Sequence, residues 1–94
     1  MPYIKQEQRK SIDPAVSNLV SRVKATSQQD DCVPDGMLNY AMTKLLLGTI
    51  CKELNYASAE RAIGCLECCK LEMYRRLAGP YEDMKAKDNG EVYL

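Results

Sequence analysis

Two stretches of this chain, 35–54 and 58–78, carry apolar residues at helical spacing with only Asn55-Tyr56-Ala57 between them. In the first, Leu38, Ala41, Met42, Leu45, Thr49 and Ile50 fall on one face, and Leu46 and Leu47 widen it. In the second, Ala59, Ala62, Ile63, Leu66, Cys69, Met73 and Leu77 do the same. A connection this short returns the second helix antiparallel to the first, so the pattern specifies a helical hairpin. Ser58 reads as the cap of the second helix. Gly79 suits the left-handed position that ends a helix, and Pro80 cannot continue one.

The hairpin has its own arithmetic. With the turn centred at Tyr56, Gly48 lies level with Gly64, Lys52 with Glu60, and Leu38 near Met73. A glycine inside a helix costs about 1 kcal/mol relative to alanine. Two of them at one level are expected where the backbones cross closely.

The rest of the chain is organised around this pair. Residues 1–12 read as a polar arm in which Tyr3 and Ile4 are the anchors. Asp13 and Pro14 form a helix start, and Ile12, Val16, Leu19, Val20 and Val23 make one apolar stripe. A first, shorter helix is therefore expected over 13–26. The segment TSQQDDCVPDG is a loop with Pro34-Asp35-Gly36 turn chemistry, and 80–94 is a tail, with Asn89-Gly90 as a tight turn and an extended tip at 92–94. The fold class is all-α: an antiparallel hairpin, a third N-terminal helix, and a short extended arm and tail.

Ninety-four residues make one domain, 1–94. A chain of this size buries only about 60% of the surface it exposes when unfolded, so its own core is marginal. A hairpin that is apolar on two sides leaves surface to cover, and a homo-oligomer is expected. Thirteen basic and thirteen acidic residues balance, which argues against a dedicated nucleic-acid binder. No apolar run reaches the roughly 18 residues of a membrane span, and the amino terminus lacks the apolar centre of a signal peptide, so the expected location is the cytoplasm. Five cysteines in such a chain are expected as free thiols.

The chemistry the residues offer is sparse. There is no histidine, which removes the commonest general base and the usual triads. Cys65, Cys68 and Cys69 share one side of a helix and could ligate a soft metal. Zinc pairs of this spacing usually sit on turns, with a second pair elsewhere. Packing of small thiols is the stronger reading, and neither a metal nor a cofactor is expected. Glu67–Lys70 and Glu72–Arg76 stand at ion-pair spacing on a helix surface. With neither Phe nor Trp present, all six aromatic rings are tyrosines. Their first role is expected to be core filling with hydroxyls at the surface. In the hairpin register, Tyr40, Lys44, Tyr74 and Arg75 gather at one end, where tyrosine and arginine suit either a protein interface or a nucleotide-type anion.

The pieces MPYIKQEQR, GMLNYAMTKLLL, IGCLECCKLEMYRRLAGPYED and KDNGEVY together resemble a family of small uncharacterised proteins of bacteria, archaea and their phages. Members begin with an MPYIK-like arm, carry G-x-LNY-x-x-T-(K/R)-LL, and end in YRR-x-x-x-PYE followed by NG-(D/E)-VY. The match covers nearly the whole chain except 14–33. It implies Asn39, Tyr40, Thr43, Lys44, Leu45, Tyr74, Arg75, Arg76, Pro80, Tyr81, Glu82, Asn89, Gly90 and Tyr93 as characteristic positions, and it implies no activity. Relatives carry other small apolar residues where this chain has Cys65 and Cys69, which counts against a metal.

From these features the chain is expected to be a non-catalytic helical adaptor acting as an oligomer. The alternative is an oligomeric binder of a small anionic ligand. The candidate residues for a partner or ligand are Asn39, Tyr40, Lys44, Tyr74, Arg75, Arg76, Tyr81 and Glu82.

Overall fold

The first helix starts well ahead of the Asp13-Pro14 pair that reads as its beginning. The computed structural model describes residues 2–93, and the terminal residues of the expected arm and tail lie outside it. Helix α1 spans Gln6–Gln29 and, at 24 residues, is the longest single α-helix rather than a short one. Pro14 sits inside it. An interior proline costs about 3 kcal/mol because it cannot donate to the carbonyl four residues back. The segment before it, QEQRKSID, is rich in good helix formers, and local ties hold its first turns. The Gln8 side chain accepts the Lys5 amide at 3.1 Å, and Arg9 Nε donates to the Ile4 carbonyl at 2.8 Å. Among the described residues the extended arm is accordingly confined to 2–5.

Helix α1 closes in a Schellman arrangement. The Cys32 amide donates to the Ser27 carbonyl at 2.9 Å and the Asp31 amide to Gln28 at 3.3 Å. Asp31 takes the left-handed conformation, with φ of 50°, that glycine usually supplies. Helix α2 then runs over Asp35–Gly48, ending short of the expected residue 54. Gly48, Thr49 and Ile50 are weak helix formers. Thr49 Oγ1 donates back to the Leu45 carbonyl at 2.6 Å while the Cys51 amide closes on Leu46 at 2.8 Å.

Helix α3 occupies Tyr56–Met73 and is capped by Asn55, not Ser58. Asn55 Oδ1 accepts the Ser58 amide at 2.9 Å and Ser58 Oγ accepts the Asn55 amide at 3.2 Å, so each satisfies a donor of the other. The same Ser58 hydroxyl donates to the Glu53 carbonyl at 2.7 Å.

Gly79-Pro80 does not end this rod. A π-helical turn over Tyr74–Ala78 leads into α4, Gly79–Asn89. Gly79 is right-handed helical (φ −56°, ψ −56°), and its amide reaches the Tyr74 carbonyl five residues back. Proline is tolerated here because it lies at the start of α4, where the wider turn has already broken the four-residue ladder. The expected extended tail is therefore mostly helix. Gly90, with φ of 99°, is the true terminator, its amide closing on Ala86 at 2.9 Å.

The described residues are thus all-α, with no strand. They form three rods that barely pack on one another. Among the described residues the only buried ones are Cys51, Ala62, Ser27 and Ser58, and no large side chain is fully enclosed. A Cβ placed on Gly48 or on Gly64 would meet nothing within 4 Å, so the expected close glycine crossing is not formed within the chain. The radius of gyration is 17.3 Å, where a compact domain of this length has about 12 Å. The accessible surface is 8495 Å², against about 5,500 Å² for a folded monomer of this mass.

Candidate functional site

An apolar concavity lies between α1 and α2. Leu19, Val23 and Thr26 from α1 face Met37, Tyr40, Ala41 and Leu45 from α2 across a groove of about 480 Å³. The sequence builds it simply: the α1 stripe recurs every three or four residues, and the turn at 30–34 folds α2 back beside the carboxyl half of α1. Arg22 and Lys44 stand on the rim and give an apolar floor a cationic edge.

Two of the candidate residues, Tyr40 and Lys44, belong to this groove. Asn39 is on the same helix, and its carbonyl accepts from Thr43 Oγ1 at 2.8 Å. Tyr74, Arg75 and Arg76 lie on the π-helical turn. Tyr81 and Glu82 line a second depression of about 660 Å³ between α4 and the residues that follow it, with Lys85 lying 5.7 Å from the Tyr81 ring centre. Among the described residues no hydrogen bond joins the α2 group to the other two.

Arg75 is already engaged. Its Nη2 and Nε donate to Glu72 Oε1 at 2.7 Å and Oε2 at 3.2 Å, a two-point clasp one turn apart on the helix. The Tyr3 hydroxyl donates to the same carboxylate at 2.8 Å, fastening the N-terminal arm to the end of α3. The Arg75 guanidinium, and secondarily the Tyr3 hydroxyl, hold the Glu72 carboxyl below its ordinary value, and Glu72 in turn raises Arg75. Glu72 pairs with Arg75 rather than with Arg76. Tyr3 is legible in the sequence as an anchor, but its partner is not, because nothing local links positions 69 residues apart. The Glu67–Lys70 pair forms at 3.1 Å on an exposed face.

The five cysteines are free thiols; Cys51 alone is buried, its Sγ donating to the Ser58 carbonyl at 3.5 Å. Cys65, Cys68 and Cys69 are exposed and do not pack a core within the chain. Among the described residues no group of three or more Cys, Asp or Glu is placed to share a metal ion. The tyrosines do not fill a core either: Tyr3 is half exposed and Tyr40, Tyr56, Tyr74, Tyr81 and Tyr93 more than half. The same holds for the aliphatic stripes. Ile12, Val16 and Val20 on α1, Leu38, Met42 and Leu45 on α2, and Ile63, Leu66 and Met73 on α3 all stand open. Among the described residues no helix is long and apolar enough to cross a membrane.

No curated protein and no solved structure matches the chain. A family model described as "Domain of unknown function (DUF6899)" matches residues 1–92, nearly the full length. The chain belongs to the DUF6899 family.

Proposed function

We propose that this protein is a non-catalytic helical interaction module whose core is completed by self-association. The supporting observation is its surface: 8495 Å², an excess of about 3,000 Å² over a folded monomer of its mass. Were each of two subunits to bury half of that excess, lined by half-exposed Ile, Val, Leu and Met, the interface would total about 3,000 Å², the size of an obligate assembly. The 17.3 Å radius is that of a compact domain of about 220 residues, an envelope into which a second copy fits.

The candidate tyrosines and arginines then serve as surface of the assembly, where such residues anchor protein partners. An anionic small molecule is a subordinate reading, favoured by Arg22 and Lys44 on one groove rim. It leaves most of the open surface uncovered, since a ligand filling a groove of about 480 Å³ buries only a few hundred Å² (roughly a tenth of the excess). Arg75, spent on Glu72, offers it little.

Native mass spectrometry of the reduced full chain tests the proposal. A mass at a multiple of 10.6 kDa at micromolar concentration is expected. A single-chain mass with cooperative melting would refute it.

A further inference from the structure

The stripe on α1 extends beyond the part that α2 lies against. Ile12, Val16, Leu19 and Val23 follow steps of four, three and four, the interval of a helix-pairing seam. Helix α2 reaches only the carboxyl half of that seam, where Leu19 and Val23 floor the groove with Leu45. The amino half is bare, with Ile12 and Val16 each 50% exposed and no part of the groove lining. One molecule therefore presents both an unfilled apolar groove and an uncovered apolar ridge on the same helix.

We infer that the groove between α1 and α2 is filled by the Ile12–Val16 half of α1 from a second copy, in an antiparallel α1–α1 pairing. This rests on the self-association proposed above and names its surface. Ridge and groove are displaced along one helix, so a two-fold axis crossing α1 midway seats each ridge in the other chain's groove, the reciprocal match that closes a symmetric dimer. In that register Val16 meets Leu19 of the second copy and Ile12 meets its Val23.

Charge selects the direction. A parallel pairing would stack Arg9, which continues the seam one step before Ile12, against its own symmetry mate, and would bring both pairs of rim cations together. The antiparallel pairing sets Arg9 opposite Thr26 and lets the helix dipoles oppose. A small ligand would fill the groove but leave Ile12 and Val16 in water; a second copy covers both.

Two measurements on the full chain test this. Val16 lies beyond the reach of α2, so Val16→Glu removes little within one chain while placing a carboxylate twice in the seam. It should weaken association at least about a hundredfold, read as a shift of native mass from twice 10.6 kDa toward the single chain. A lysine-reactive cross-linker on an equal mixture of light and nitrogen-15-labelled chains should give mixed light–heavy links between Lys10 and Lys24. Should Val16→Glu fail to fold, these links decide alone. Links between two copies of Lys10 would overturn the antiparallel register. An assembly untouched by Val16→Glu, with mixed links confined to Lys70, Lys85 and Lys87, would overturn the seam while leaving self-association standing. A wild-type chain that stays single at all concentrations would remove both.

Discussion

If the core is built between chains, unfolding must also be dissociation, and the melting temperature must follow concentration. The size of the effect can be worked out. Unfolding absorbs about 0.7 kcal/mol of enthalpy per residue near 60 °C, or about 130 kcal/mol for two copies of a 94-residue chain. The corresponding entropy is about 0.4 kcal/mol per kelvin. Each tenfold dilution removes about 1.5 kcal/mol from the associated state at that temperature. The midpoint should therefore fall by about 4 °C per decade, or about 8 °C between 100 and 1 µM. Far-ultraviolet circular dichroism in reducing buffer reads this directly, since the described residues are helical from Gln6 onward apart from short connections. A midpoint constant to within about 1 °C over that range would refute the reasoning, because a single chain melts independently of its concentration.

Three local predictions follow from the termini and the arm. Asn55→Ala should destabilise by about 1 kcal/mol per chain in urea titration, because it removes the acceptor of the Ser58 amide and half of a reciprocal cap. Asp31→Gly should stabilise by about 0.5–1 kcal/mol, relieving the left-handed strain at φ 50°, whereas Asp31→Val should destabilise. The Glu72 carboxyl is held below its ordinary value of 4.5, so its contribution is fully present above that pH and is lost as pH falls through the lower folded value. Carboxyl titration by nuclear magnetic resonance should show Glu72 rising toward 4.5 in Arg75→Gln, and by less in Tyr3→Phe, since the arginine is the larger cause.

The all-α class was legible because apolar periodicity is a local signal, and α2 and α3 both form where the stripes lie. Helix ends were less so. Pro14 and Pro80 read as a start and a stop, but one lies inside α1 and the other opens α4, because flanking helix formers and a π-helical turn absorb their missing donors. Asp31 closes α1 without the glycine that announces such an ending. The glycine crossing failed for a different reason. Gly48 and Gly64 can be aligned on paper, but alignment supplies no attraction, and a Cβ at either position would meet nothing within 4 Å. At the site, the register argument grouped Tyr40 and Lys44 with Tyr74 and Arg75, whereas the fold gives the first pair to the α1–α2 groove and the second to the π-helical turn.

The openness of the fold follows from what the sequence lacks. Small helical domains commonly fill the space between rods with Phe and Trp, each burying roughly 150–250 Å². This chain has neither, and its six rings carry hydroxyls that favour a wet edge. Val, Ile, Leu and Met must then do the filling, and these shorter side chains close a gap only when helices lie within about 8–10 Å of each other. With α2 only 14 residues long, one copy cannot bring three rods that close along the whole of α1. A second α1, paired as proposed above, would lay a continuous aliphatic seam against the part that α2 leaves bare. On that proposal, the composition that leaves one copy open is the composition that suits half of a symmetric dimer.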